Sequence, residues 1–111
     1  MNKTIKKPWG HEIIWAQTQD YVGKILYIKA DHRLSKQYHQ EKEETVYVLE
    51  GVLYNYDEND NPTMYGPGNS LHIKPNQVHR FGAKKGDVKL VEVSTNYLSD
   101  VVRLEDDYKR K

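Results

Sequence analysis

Short runs of strand-forming residues, broken every few positions by clusters of turn residues, constrain this chain more than anything else in it. Asp57-Glu58-Asn59-Asp60-Asn61-Pro62, Gly66-Pro67-Gly68-Asn69 and Pro75-Asn76 are three such clusters. Asp and Asn side chains bond the nearby backbone, Pro presets φ and Gly supplies positive φ, so the chain reverses at each cluster. The runs around them are Glu12 to Trp15, Tyr21 to Lys29, Thr45 to Tyr56 with a pivot at Gly51, Thr63 to Tyr65, Ser70 to Ile73, Val78 to Gly82 and Val88 to Thr95. Strands this short, with turn signals between them, predict an all-β sandwich or barrel. Only Ser99 to Tyr108 has helical character, with Asp100 as a cap and Val102, Leu104 and Tyr108 as apolar anchors. A short C-terminal helix is the one exception this reading allows.

The 111 residues make one domain, 1–111, with no repeat, low-complexity tract or interdomain linker. Core material is thin, at 37% hydrophobic residues and a single Phe, so nine Tyr and two Trp must supply much of the buried area. A barrel this small, with open sheet edges, gains from a second copy, and a homodimer is expected. Seventeen basic and 16 acidic residues leave a net charge of +1. A nucleic-acid surface would need a clustered basic excess, so no nucleic-acid partner is expected. The basic run Lys3 to Lys7 and the terminal Lys109-Arg110-Lys111 read as solvated tails. The absence of Cys excludes disulfides and thiolate chemistry. No apolar stretch approaches the ~18 residues of a membrane span, and the first residues lack the apolar centre of a signal peptide. A soluble cytoplasmic protein without membrane contact is expected.

Chemistry concentrates in Gln37-x-His39-x4-Glu44, with His79 forty residues after His39. Imidazole and carboxylate donors, with an amide oxygen, suit one divalent metal ion: Zn as first choice, with Mn, Fe, Ni and Co also accommodated. Strand parity places Glu44, Val46 and Val48 on one face, and His79 and Phe81 likewise. Each strand therefore offers one ligand followed by apolar residues. Tyr38 and Glu43 flank the ligands and point to the opposite face. His11, His32 and His72 fit no such pattern and read as surface or hydrogen-bonded histidines. Trp9 reads as a ring that fastens the N-terminal segment.

The spacing His39-x4-Glu44-x6-Gly51 resembles the first motif of the cupins, with Gln37 in place of the usual first His. Gly68 and His79 fit the second cupin motif, with Lys74 at its Pro position, Asn76 at its Gly position and Ala83 where an Asn is usual. Asn tolerates left-handed backbone, so Asn76 is a mild change. A narrower likeness runs from Lys7 to Arg110. Lys7-Pro8-Trp9-Gly10, Gln37-Tyr38-His39, Val78-His79-Arg80 and Asp100-Val-Val-Arg-Leu-Glu-Asp-Asp-Tyr108 resemble, in order, four motifs of type II mannose-6-phosphate isomerases. These also occur as the C-terminal domain of mannose-1-phosphate guanylyltransferases. Gln40-Glu41-Lys42-Glu43 stands where that family has His-His-Arg-Ser, and Ile25 where it has an Arg, beside a matching Lys24.

The resemblance implies a cupin double-stranded β-helix and a metal held by Gln37, His39, Glu44 and His79. It also implies isomerisation of a sugar phosphate such as mannose 6-phosphate. Aldose–ketose isomerisation needs a proton-transferring side chain and cations for the phosphate. Lys24 is the leading candidate for the first role. Lys24 and Arg103 are candidates for the second, while Asp106 and Arg110 either join them or pin the tail. Two other readings stay open: a metal- or sugar-binding module without turnover, and a metal-dependent enzyme, such as a dioxygenase, on another small substrate.

Overall fold

In the computed structural model, which describes residues 2–110, every regular element is a strand. Among the described residues these are β1 (Lys3–Lys7), β2 (Gly10–Gln17), β3 (Val22–Ile28), β4 (Lys36–Tyr38), β5 (Glu44–Glu50), β6 (Leu53–Tyr56), β7 (Pro62–Tyr65), β8 (Ser70–Ile73), β9 (Arg80–Gly82), β10 (Val88–Ser94) and β11 (Val102–Glu105). One sheet has the order β1-β2-β3-β10-β5-β8, and two smaller sheets run β7-β6-β9 and β11-β4. All pairings are antiparallel. Reciprocal backbone bonds between Gln37 and His79, at 3.0 and 2.9 Å, connect β4 to the start of β9, so the two small sheets form one wall.

The core lies between this wall and the larger sheet. Leu26, Ile28, Val46, Val48, Val88 and Leu90 face inward at alternate positions, as the period of a strand requires. Leu53, Ile73, Phe81, Ala83 and Trp9 complete the cluster. The Trp9 carbonyl also accepts a bond from Lys29 N at 2.9 Å, which fastens the N-terminal segment as its ring implied. Gly51 turns the chain between β5 and β6 at φ 82°, where a Cβ would come within 2.2 Å of the Asp87 carbonyl. Asn76, at φ 66°, adopts the left-handed conformation expected of a Gly substitute.

Three segments differ from the sequence reading. The stretch Ser99 to Tyr108 holds no helix. Val102–Glu105 is strand β11, paired with β4, and Leu104 is exposed rather than anchored. Its β-branched pair Val101-Val102 suits a pleated surface, and β4 supplies a partner that local periodicity does not reveal. Asp100 does cap backbone N–H groups, but those of the loop at Gln40, Glu41 and Lys42. The basic run Lys3 to Lys7 is edge strand β1 rather than a tail, and its lysines guard the sheet edge against pairing with other chains. At the other end, Arg110 is held by Asp106, while Lys111 lies outside the described residues.

Candidate metal centre

His39 follows β4, Glu44 opens β5 and His79 precedes β9, so three separate segments converge. The Nδ1 of His39 lies 2.6 Å from the Asp100 carbonyl, and the Nδ1 of His79 lies 2.9 Å from the Gln77 carbonyl. A carbonyl can only accept, so both Nδ1 atoms carry protons and both Nε2 atoms face inward. Both Nε2 atoms approach the same oxygen, Glu44 Oε1, at 3.2 Å from His39 and 3.4 Å from His79. The three donor atoms lie within 4.8 Å of one another, and all three residues are buried. His79 Nε2 makes no hydrogen bond there. Two inward lone pairs against a carboxylate need a proton or a cation between them. Two imidazoles and one carboxylate, with the buried His79 nitrogen left without a hydrogen bond, fit a divalent ion.

Gln37 sits beside this cluster with its amide turned the other way. Its Oε1 accepts from Ser35 Oγ at 2.6 Å, and its Nε2 lies 3.5 Å from His39 Nε2. Rotating the amide by half a turn exchanges the two atoms, because the Ser35 hydroxyl both donates and accepts.

Strand parity also points charged groups inward. Lys24 on β3 stands opposite Glu92 on β10, which stands opposite Val46 on β5. Lys24 Nζ lies 3.4 Å from Glu12 Oε1. Lys42, only 6% exposed, lies 3.1 Å from Glu92 and 3.7 Å from Glu44. Burial alone would raise the Glu44 pKa, but a proton donated to it from the His39 and His79 imidazoles, with the Lys42 ammonium, holds it well below the usual carboxylate range. Glu92 is pushed up to about 7 by burial and by the charge on Glu44, with Lys42 and Lys24 resisting. Burial works against the Lys42 ammonium, yet Glu92 and Glu44 outweigh it and raise its pKa to about 12.

All these groups line one cavity of about 110 Å³, which Lys7, Arg103 and Arg110 also reach. Arg103 stands opposite Gln37 across the β11–β4 pair. Lys7 has its pKa lowered first by burial and then by Lys24, Arg110 and Arg103, with Glu12 opposing. The sequence candidates Lys24 and Arg103 therefore share a cavity with the expected ligands. Glu12, Lys42 and Glu92 were missed. Their signal is a charged residue at core parity, as in Val88-x-Leu90-x-Glu92, but the outward positions of β10 are also apolar at Val91 and Val93 and mask it. The missing Arg at Ile25 takes nothing from the cavity, because Ile25 points outward; Lys42 keeps a cation at the position of the family's other Arg.

The closing motif mainly pins the tail. Asp106 accepts bonds from the backbone N–H groups of Tyr108 and Arg110 and from the Arg110 guanidinium. Asp107 pairs with Arg33 at 2.6 Å and with buried Arg80 at 2.9 Å. The remaining histidines lie outside the centre: His72 pairs with Glu43, His32 bonds the Ala30 carbonyl and His11 stacks on Tyr27.

The family model described as "Mannose-6-phosphate isomerase C-terminal" matches residues 1–106. The chain belongs to this family. Solved structures similar to this family member include the polyketide cyclase RemF from Streptomyces resistomycificus, with TM-score 0.81 and 18% identity over 97% of this chain and 85% of that one. KdgF from Halomonas sp. superposes with TM-score 0.76 and 16% identity, over 86% and 88% of the two chains. A sugar phosphate isomerase from a cupin superfamily of Silicibacter pomeroyi gives TM-score 0.68 and 18% identity, over 78% of this chain and 59% of that one. At such identities the likeness establishes the fold, the double-stranded β-helix of the cupins. No curated protein sequence matches the chain. Among the described residues no helix is long and apolar enough to cross a membrane.

Proposed function

We propose that this family member is a metal-dependent isomerase of a sugar phosphate, with mannose 6-phosphate and fructose 6-phosphate as the first pair to test. One observation carries the reading: the His39–Glu44–His79 cluster and the cations Lys7, Lys24, Arg103 and Arg110 line the same cavity. His39, Glu44 and His79 would hold the ion, and Gln37 would offer a fourth donor once its amide is rotated. A divalent ion there, Zn as first choice, would supply the positive charge that polarises a carbonyl and offsets the negative charge developing on its oxygen.

The cavity takes the reacting end of the sugar, and Lys7, Arg103 and Arg110 receive the phosphate as charge-assisted donors. Lys24 lies deeper, paired with Glu12. The ammonium is a proton donor and the carboxylate a proton acceptor, so the pair can move a proton between adjacent carbons. Protein purified without a His tag and loaded with a divalent ion is expected to convert mannose 6-phosphate to fructose 6-phosphate, and chelation is expected to stop it. Glu12→Gln is expected to keep the metal and lose kcat. Stoichiometric metal with no turnover on any sugar phosphate would replace this reading with a binding module.

A further inference from the structure

We infer that Lys42 is a positioning residue for the metal: its ammonium reserves one oxygen of Glu44, so that this ligand binds the ion through its other oxygen alone. The inference rests on the metal reading of the site given above. It concerns how many positions the ion keeps for a substrate.

The two oxygens of Glu44 face different partners. Oε1 is the atom that both imidazoles approach, at 3.2 Å from His39 and 3.4 Å from His79. Oε2 faces Lys42 Nζ, 3.7 Å away. Lysine is almost never fully buried unless paired. Lys42 is buried, and its ammonium lies between this oxygen and Glu92, 3.1 Å away. One carboxylate thus divides its oxygens between a histidine pair and a buried cation.

The backbone fixes where that cation stands. The N–H groups of Gln40, Glu41 and Lys42 all donate to the Asp100 carboxylate, at 3.0, 2.6 and 2.9 Å. Glu43, the next residue, is clamped by Thr95. Its N–H donates to Thr95 Oγ1 and its carbonyl accepts from Thr95 N, both at 3.0 Å. The Asp100 carbonyl also orients the His39 ring. One residue therefore sets a metal ligand and the cation beside the next ligand, as the supporting shell of a metal site does.

Coordination gives the arrangement its consequence. A carboxylate that binds with both oxygens fills two positions, and a catalytic ion needs open ones. An aldose or ketose offers two neighbouring oxygens, its carbonyl and the hydroxyl beside it. Holding Glu44 Oε2 back leaves a position for the second of them.

Binding of Mn(II) to the full chain tests this. Affinity is read from the EPR signal of the free ion, and bound water is counted by the line broadening that oxygen-17-labelled water causes. The test variant combines Lys42→Met with Glu92→Leu. Exchanging a buried ion pair for apolar groups of similar volume is often neutral for folding. With no ammonium beside it, Oε2 turns to the ion. The double variant is expected to hold one bound water fewer than wild type. Its dissociation constant is expected to fall by about 10-fold, the effect of a further oxygen donor. Lys42→Arg, which keeps the cation, is expected to match wild type in both. A folded double variant with the wild-type water count, or with weaker binding, would overturn the inference and leave the metal reading standing. Wild-type protein that binds no Mn(II) would overturn both. If the double variant misfolds, a crystal structure of Mn(II)-loaded wild type decides: Oε1 alone on the ion is expected, and both oxygens on it would overturn the inference.

Discussion

The two faces of β2, β3, β10 and β5 carry opposite chemistries, each the reverse of what its surroundings ordinarily call for. Inward, at the end nearest the metal cluster, stand Glu12, Lys24, Glu92 and Glu44; outward, on the same strands, stand Ile13, Ile25, Val91 and Tyr47. One end of the interior is a conventional apolar core, built from Leu26, Ile28, Val48, Val88 and Leu90. The other end is a ladder of alternating charge, in which Lys24 faces Glu12 and Lys42 bridges Glu92 and Glu44. Buried charges are costly unless paired, and replacing them with apolar groups is often neutral or stabilising. On the proposed reading, a chain that keeps them while placing apolar residues outside gives this end of the barrel to a ligand, and the far end carries the folding load. Proteins tend to break their local rules in this way at functional sites.

The comparison can be broken most directly at the ligands. His39→Ala is expected to abolish both metal retention and turnover while the apolar end keeps the variant folded; full activity in a metal-free His39→Ala protein would sink the metal mechanism. Next in size is the ladder. Lys42→Ala leaves Glu44 and Glu92 buried together without their shared cation. The expected loss is about 3–5 kcal/mol of stability in urea without metal, as for other broken buried pairs. Added divalent metal should restore part of it, and a loss below about 1 kcal/mol would mean that water already screens these groups.

Asp100→Ala removes the acceptor for the backbone N–H groups of Gln40, Glu41 and Lys42, the loop that carries Lys42 inward. Those bonds hold the Asp100 carboxyl below its usual range. Its exposure limits the expected cost to about 1–2 kcal/mol, and metal affinity should weaken only as far as the loosened loop shifts the backbone carbonyl of residue 100, which orients His39 and which the substitution leaves in place.

Acid sharpens the picture away from both faces. The Asp106 carboxyl is held at about 2 against an ordinary 3.8: burial pushes it up, but the Arg110 guanidinium and backbone N–H groups outweigh this. A depressed carboxylate stabilises above its unfolded pKa, and its contribution is lost as pH falls from near 4 to about 2. The stability difference between wild type and Asp106→Asn should shrink across that window and stay flat above it. The smallest effect is a gain. Lys109 sits at φ 57°, in the left-handed region that favours Gly. Lys109→Gly should stabilise the tail by about 1 kcal/mol, read as a higher urea midpoint.

Much of this was legible in the sequence. Turn clusters and strand parity gave the β architecture, and the spacing of His39, Glu44 and His79 gave a cluster that the fold closes to within 4.8 Å. Asn76 was recognisable as a left-handed residue because Asn pays little for that conformation. The segment at Val102 was not legible as a strand, since its pairing with β4 is made across more than sixty residues. Glu12, Lys42 and Glu92 were hidden for a related reason. When outward positions such as Val91 and Val93 are apolar, the alternation that separates inside from outside loses its contrast.

Metal stoichiometry tests the central claim most directly. Untagged wild-type protein and His79→Ala would be dialysed against a divalent ion, freed of excess and assayed for bound metal. The account predicts close to one ion per wild-type chain and almost none in the variant. Wild-type protein that holds no more metal than His79→Ala would contradict it.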